Sequence, residues 1–278
     1  IEKGAIYGLI GRNGAGKTTL IRIICGLQEP TSCTYTIYGE DNSSSDMVNA
    51  RKRMGAIIET PSIVTEMSAK DNLIEQYKLV GMTNYEEIEN LLKLVGLENT
   101  GKKKAKNFSL GMKQRLGIAI ALANNPDFLI LDEPINGLDP DGIIEIRELI
   151  LKLNKEKRIT ILISSHYLDE LSKIATHYGF LDNGEIIKEI SSEELMKKME
   201  HKIELKVDNP KEFVKYFEEK KISYEVIDSK TINVYGNLNL SKFIADLSKR
   251  NLIAEEIHEQ EESLESYYMN LIGGGKVE

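Results

Sequence analysis

A glycine-rich segment near the start of the chain restricts the possible fold more than any other feature. Residues 11–18 read GRNGAGKT and fit the pattern G-x-x-x-x-G-K-[ST]. Residues 5–10 before it are apolar and strand-like, and residues 18–26 after it have helical apolar spacing and end at a glycine. A loop in this setting surrounds a phosphate with backbone N–H groups, and the helix N-terminus adds partial positive charge. The sequence therefore predicts a phosphate-binding loop.

Two adjacent carboxylates complement this loop. Asp132 and Glu133 follow residues 128–131, an apolar strand-like run, at the strand end where open α/β sheets bind ligands. Asp132 can hold Mg²⁺ through water, and Glu133 can orient or deprotonate an attacking water. Lys17 can reach the β and γ phosphates, and the Thr18 hydroxyl can ligate Mg²⁺. The alternative is that Asp132 and Glu133 form only a solvated acidic turn, and this alternative is weaker beside a phosphate loop.

Apolar runs elsewhere predict a parallel α/β core. Residues 159–163, like the run that ends before Asp132, are typical of a strand covered by helices on both faces. Residues 35–38 and 55–58 indicate further strands, and an Asn-Gly pair at residues 183–184 predicts a hairpin. Helical spacing between the early and late strands indicates a helical subdomain at about residues 60–125.

The region after residue 190 has a different order of elements. Strand and helix signals alternate there as β-α-β-β-α-β, which is the ferredoxin-like order. The chain is therefore expected to contain an α/β core at residues 1–190 and a C-terminal α+β accessory module at residues 191–278. The length of 278 residues agrees with about two domains.

Composition and charge exclude several classes of protein. The chain is 41% hydrophobic and 29% charged, as globular proteins are. With 36 basic and 44 acidic residues its formal net charge is −8, so we expect no nucleic-acid partner. The two cysteines, Cys25 and Cys33, are too few for a disulfide framework and favour a reducing, cytoplasmic compartment. No run of about 20 apolar residues is present to cross a bilayer.

Four motifs in order resemble the ATP-binding subunits of ABC transporters, over about residues 4–190. The first is the phosphate loop, and residues 108–115 look like the family's signature segment. Residues 132–140 look like the Walker B motif and the D-loop, and His166 looks like the switch histidine. The resemblance implies a P-loop NTPase fold of ABC type that hydrolyses ATP and uses ATP and Mg²⁺ as cofactors.

The resemblance also implies roles for individual residues. It implies a composite site, in which the phosphate loop of one copy faces the signature segment of a second copy. Ser109 and Gly111 would then reach the γ-phosphate across a dimer interface, although Ser109 also suits a simple helix N-cap. The implied catalytic residues are Glu133, His166 and Lys17. The implied metal ligands are Thr18, Glu59 and Asp132. The implied nucleotide-binding residues are Gly11, Asn13, Gly14, Ala15, Gly16, Lys17, Thr18, Thr19, Ser109 and Gly111.

Two departures from the usual family pattern suggest a particular branch. The signature reads Ser-Leu-Gly-Met at residues 109–112, and Glu59 stands where many members have glutamine. Both variants resemble the branch that exports bacitracin, lantibiotics and similar antimicrobial peptides. We also expect residues to precede Ile1 in the full protein, including the aromatic residue that stacks on adenine in this family.

The resemblance implies a subunit that dimerises around two Mg·ATP and powers a separate membrane-spanning permease from the inner face of the cell membrane. Ile63 and Met67 lie in the loop where family members receive a helix of the membrane subunit, although they also suit an ordinary core. One alternative is a soluble ABC protein. However, a soluble ABC protein that acts on ribosomes would carry two cassettes in one chain, and one that acts on DNA would carry a long coiled-coil insertion. The other is a regulatory module that binds ATP without fast turnover.

Overall fold

The structure has two parts that are described separately. A computed structural model of the chain describes residues 1–198, 202–236, 238–260 and 263–273. It divides into two compact units, Ile1–Ser192 and Glu193–Glu278. This division lies two residues beyond the boundary expected after residue 190, and residues 274–278 of the expected C-terminal module lie outside the described residues.

The first unit is organised around a six-stranded sheet in the order β4-β5-β6-β1-β7-β8. Neighbouring strands are parallel from β4 to β7, and β8 is antiparallel to β7. The strands of this unit are β1 (Ile6–Ile10), β2 (Thr36–Ile37), β3 (Glu40–Asp41), β4 (Met54–Ile57), β5 (Phe128–Asp132), β6 (Thr160–Ser165), β7 (His177–Asp182) and β8 (Glu185–Ser191). The strands β2 and β3 form a separate two-stranded pair.

The central strands are buried because their sequences are apolar on both faces. Every residue of β6 is buried, and Leu129, Ile130 and Leu131 of β5 have no exposed surface. This burial agrees with the near-continuous apolar runs that predicted a parallel α/β core. The carboxyl ends of β1, β5 and β6 lie at one edge of the sheet, where the functional side chains described below are placed.

Helices cover this sheet, and three of them lie within residues 60–125, where a helical subdomain is expected. The helices are α1 (Lys17–Ile24), α2 (Met47–Lys52), α3 (Ala69–Leu79), α4 (Glu87–Leu94), α5 (Leu110–Leu122), α6 (Pro140–Lys157) and α7 (Leu168–Ser172). The helices α3, α4 and α5 contact one another, and each buries a side chain completely: Leu73, Ile88 and Leu116. Ser68 begins α3 with a capping box to Asp71, which satisfies two backbone groups at the helix start.

The second unit has the expected ferredoxin-like order. After α8 (Ser192–Lys198) its elements are β9 (Lys202–Val207), α9 (Pro210–Lys220), β10 (Ser223–Val226), β11 (Thr231–Tyr235), α10 (Leu240–Lys249), β12 (Ala254–Gln260) and α11 (Leu264–Ile272). The sheet is antiparallel in the order β10-β11-β9-β12. The helices α9 and α10 supply Phe217 and Phe243 to a core with Leu205, Ile232 and Val234 of the strands.

The structure corrects several details of the predicted elements. The strand expected at residues 35–38 is only Thr36–Ile37, and the sequence analysis placed no element at α2, α7 or α8. These helices have five to seven residues, which is too short for a clear apolar period. In the part of the chain that the structure describes, no helix is long and apolar enough to span a membrane.

Candidate nucleotide site

The glycine-rich loop connects β1 to α1 and leaves the helix start open. Gly14 and Gly16 have φ of 85° and 110°, a left-handed conformation that side chains rarely adopt. Gly16 is the N-cap of α1 and provides no side-chain cap, so the first N–H groups of the helix are available to an anion. A Cβ added to Gly11 would lie 2.7 Å from the Leu181 carbonyl oxygen, so the close approach of loop and β7 requires glycine there.

Lys17 is the buried cation of the site. Its side chain is only 6% exposed, and Nζ donates hydrogen bonds to the carbonyl oxygens of Gly11 at 2.6 Å and Arg12 at 3.4 Å. The same nitrogen lies 3.3 Å from Oε1 of Glu133. All three partners are oxygen acceptors, so phosphate oxygens are chemically equivalent replacements for them.

Asp132 ends β5 with both carboxylate oxygens bonded. The Thr18 hydroxyl donates to Oδ2 at 2.9 Å, and the Ser164 hydroxyl donates to Oδ1 at 2.6 Å. Asp132 is 1% exposed and Ser164 has no exposed surface, whereas Thr18 is half-buried. A hydroxyl and a carboxylate side by side are the hard oxygen ligands that Mg²⁺ prefers. The donor set therefore fits Mg²⁺ together with nucleotide phosphates.

Glu133 faces a different set of partners from its neighbour. Its φ is 49°, which is uncommon for a residue other than glycine, and its N–H donates to the Ser164 hydroxyl at 2.9 Å. The carboxylate contacts Lys17 through one oxygen, and Nδ1 of His166 lies 2.7 Å from the other. The two adjacent carboxylates at the end of β5 therefore have different partners. Asp132 lies beside Thr18, and Glu133 lies beside His166.

The segment expected to act as the signature begins α5. Ser109 is the N-cap of this helix, and its hydroxyl accepts a hydrogen bond from the Met112 N–H at 3.2 Å. Gly111 is buried, and a Cβ at this position would lie 3.8 Å from Cα of Gly142 at the start of α6. The N-cap alternative for Ser109 is therefore realised, and its role toward a nucleotide stays a prediction.

Known proteins are similar to this chain in sequence and in fold. The ABC transporter family model matches residues 1–136. The bacitracin transport ATP-binding protein BcrA of Bacillus licheniformis is 41% identical over 280 aligned positions, covering 100% of this chain and 91% of that protein. The chain belongs to the ABC transporter ATP-binding proteins. The lantibiotic transport ATP-binding protein SrtF of Streptococcus pyogenes is 47% identical over 189 positions, covering 68% of this chain and 80% of that protein.

Solved structures of ABC cassettes share the architecture. A dimeric cassette in a post-hydrolysis state, bound to ADP and Pi, superposes with a TM-score of 0.60 and 27% identity, covering 69% of this chain and 87% of that chain. The cbiO1 protein of Clostridium perfringens, part of an ABC transporter complex, gives a TM-score of 0.64 and 27% identity, covering 79% and 85%. The predicted fold class and family are therefore confirmed: the chain is an ATP-binding ABC ATPase.

The structure places the remaining predicted residues of this ABC ATPase in and around the loop. Asn13 and Thr19 are exposed, whereas Ala15 is buried and its carbonyl oxygen accepts a hydrogen bond from the Gly184 N–H at 3.0 Å. Glu59 follows β4 with a φ of 60° and forms an ion pair of 2.5 Å with Arg22 of α1. Its assignment as a metal ligand stays a prediction, and its observed partner is Arg22.

Three contributors to the site were missed by the sequence analysis: Ser164, Gly184 and Arg22. Ser164 orients both Asp132 and the backbone of Glu133, and Gly184 of the β7–β8 turn supports the phosphate loop. Two serines at the end of an otherwise apolar strand were a usable signal for Ser164, because buried hydroxyls need partners. No local sequence signal connects Gly184 or Arg22 to the site.

Proposed function

We propose that two copies of this ABC ATPase close around two Mg·ATP and that hydrolysis drives a separate membrane-spanning permease. The observation that carries the proposal is the separation of the two carboxylates at the end of β5, with Asp132 bonded to Thr18 and Glu133 beside His166. Such an arrangement suits a metal position and a water position on the two sides of a phosphate chain.

In this proposal each side chain has a distinct task. Lys17 and the loop amides bind the β and γ phosphates. Thr18, Asp132 and Glu59 hold Mg²⁺, which would neutralise phosphate charge when bound. Glu133 orients or deprotonates the attacking water, and His166 fixes the orientation of that carboxylate.

The second copy completes the site through its signature segment. Ser109 and Gly111 lie at the start of α5, whose N-terminus carries partial positive charge that favours a γ-phosphate. The dimeric cassette bound to ADP and Pi supports this assembly because it shares the fold over 69% of this chain. Residues 1–190 form the motor in this proposal, and residues 191–278 form an accessory module.

The names of two relatives support a proposal for the transported substrate. BcrA and SrtF are named for bacitracin transport and lantibiotic transport, and both align with this chain at more than 40% identity. We therefore propose an antimicrobial peptide or a related compound as the exported substrate, with the ATPase held at the inner face of the cell membrane by its permease.

A steady-state ATPase assay of the chain, alone and with its permease in lipid, tests this proposal. We expect Mg²⁺-dependent turnover that increases when the permease and its substrate are present. Fast turnover that no membrane protein changes would contradict the transport function and leave a soluble ATPase. ATP binding without turnover under every condition would instead indicate a regulatory module.

A further inference from the structure

His166 lies in a short connection between β6 and α7. Only Tyr167 separates it from the first residue of α7. The Tyr167 N–H donates a hydrogen bond to the Ser165 hydroxyl at 2.9 Å, so the backbone after His166 is tied to the end of β6. On its other side the connection depends on α7, a helix of only five residues. A helix this short is not stable by itself, so other elements must hold it in place.

Leu171 and Glu170 connect α7 to other elements of the unit. Leu171 is 1% exposed and packs on β1, where a Cβ added to Gly8 would lie 2.6 Å from Cδ2 of the leucine. Apolar burial of this kind is non-directional, so it holds α7 on the sheet without setting its rotation. Glu170 makes a directional contact, because its Oε2 accepts a hydrogen bond of 2.6 Å from Nη1 of Arg147 on α6. Its Oε1 contacts Lys173, which directly follows α7 and adds no link to another element.

The ion pair between Arg147 and Glu170 is half-buried. Its side chains are 23% and 22% exposed, whereas those of the surface pair Lys70 and Glu89 are 53% and 62% exposed. Water screens a half-buried pair less, so its attraction is stronger than that of an exposed pair. Burial acts to raise the pKa of Glu170, but hydrogen bonds from Lys173 and Arg147 lower it below its ordinary value. The carboxylate is therefore charged at neutral pH and attracts the guanidinium.

Arg147 belongs to a helix that is itself firmly anchored. The helix α6 has 18 residues, and three of its side chains have no exposed surface: Ile146, Ile150 and Leu153. Its N-cap is Asp139, whose carboxylate accepts a hydrogen bond from a backbone N–H of the first turn. The long helix is therefore a fixed support, and α7 is the short element that Arg147 connects to it.

We propose that Arg147 is a positioning residue for ATP hydrolysis. Its contact with Glu170 fixes α7 on α6, and α7 in turn sets the place of His166. The imidazole thereby stays within 2.7 Å of the Glu133 carboxylate. The guanidinium bonds a carboxylate outside the nucleotide site, so its effect on turnover passes through α7. The inference rests on the role that the proposed function gives to His166.

Single-turnover ATP hydrolysis by Arg147→Gln, measured with and without His166, tests this series of contacts. In the otherwise unaltered protein we expect kcat to fall about tenfold while the KM for ATP changes little, because the nucleotide-binding residues are intact. In His166→Ala protein we expect no further fall, since the group that Arg147 positions is already absent. Arg147→Lys keeps a charged donor and should retain most of kcat. Lys152→Gln removes an exposed cation of the same helix and should leave kcat unchanged.

An equal fall of kcat in both backgrounds would overturn the proposal, because Arg147 would then act independently of His166. Unchanged kcat in Arg147→Gln would overturn it as well, and the role of His166 would stand. If His166→Ala alone leaves kcat unchanged, that role fails and this inference fails with it. Glu170→Gln provides a second test in case Arg147→Gln does not fold, as judged by circular dichroism. It removes the same attraction with almost no change in shape, so its effect on kcat must also disappear in His166→Ala protein.

Discussion

The ammonium nitrogen of Lys17 lies 3.3 Å from a carboxylate oxygen of Glu133, and His166 lies 2.7 Å from the other oxygen of that carboxylate. Glu133 thus stands between a phosphate-binding cation and an imidazole. A triphosphate offers Lys17 more negative charge than one carboxylate does, so we expect ATP to draw Lys17 toward its phosphates. Glu133 then keeps His166 as its partner and becomes available to a water molecule.

Replacing Glu133 by glutamine tests its role in hydrolysis. Glutamine keeps the size of the side chain but cannot accept a proton, so we expect turnover to fall by about 10²- to 10⁴-fold. ATP affinity should be retained, and the ATP-bound dimer should live longer, as measured by equilibrium binding and size-exclusion chromatography. Glu148→Gln, an exposed carboxylate on α6, is the matched control. Unchanged turnover in Glu133→Gln would refute the assignment.

His166 is expected to act by positioning Glu133. His166→Ala should lower kcat by about 10²-fold while the KM for ATP changes little, because the contact is to the carboxylate and not to the loop. His177→Gln provides the control, since His177 contacts Thr176 at 3.0 Å and lies outside the site. A change confined to KM in His166→Ala would show that the imidazole binds the nucleotide instead.

The pair formed by Arg22 and Glu59 should control the Mg²⁺ requirement of the ATPase. Arg22 lies one helical turn beyond Thr18 on α1, and its guanidinium would compete with a metal ion for the Glu59 carboxylate. Glu59→Gln should raise the Mg²⁺ concentration for half-maximal activity by removing a ligand charge. Arg22→Gln should lower it by releasing the carboxylate.

The free energy of unfolding should change little in Glu59→Gln and in Arg22→Gln, because exposed ion pairs contribute little to the stability of the fold. Lys70→Gln, which breaks an exposed pair of 2.6 Å with Glu89, is the matched control for both variants. If the Mg²⁺ dependence is the same in Glu59→Gln as in the unaltered protein, Glu59 is not a metal ligand and its ion pair is only structural.

The two cysteines should differ in reactivity. Burial raises the pKa of the Cys25 thiol to about 11, with Asp132 acting in the same direction and Arg51 opposing it, whereas Cys33 is exposed. A raised pKa reduces the reactive thiolate, so at pH 8 only about 0.1% of Cys25 is ionised. Iodoacetamide should therefore modify one thiol rapidly, and the slow rate at Cys25 should rise about tenfold per pH unit up to pH 10.

Cys33→Ser should abolish the rapid phase and leave the slow one. Rapid modification of both thiols in the folded protein would show that the Cys25 thiol is not shielded by α1 and its neighbours.

Short sequence patterns predicted the parts of the site whose residues are close together along the chain. The phosphate loop and the pair Asp132 and Glu133 follow from spacing within one strand–loop–helix unit and one apolar strand. Contacts between distant segments were not predictable in this way. Arg22 and Glu59 are 37 residues apart, and Ser164 and Asp132 are 32 residues apart. Only the folded sheet and its helices bring such pairs together.

In the second unit, too, the local elements were predictable and the contacts between strands were not. Its β-α-β-β-α-β order was predicted, because each strand and helix has its own apolar period. The pairing of Asn233 with Glu204 and with Glu225 was not predicted, since these residues become neighbours only through the strand register of β9, β10 and β11.

The central claim is that this ATPase works on a membrane-spanning partner. It is tested most directly by a pull-down of tagged Glu133→Gln protein from detergent-solubilised native membranes with ATP, followed by mass spectrometry. We expect a polytopic membrane protein in near-equal amount. We expect its loss when Ile63→Asp and Met67→Asp are combined, because both residues lie in the loop where the family resemblance implies that a helix of the membrane subunit docks. Recovery of ribosomal proteins, of DNA-processing factors, or of no partner would contradict the claim.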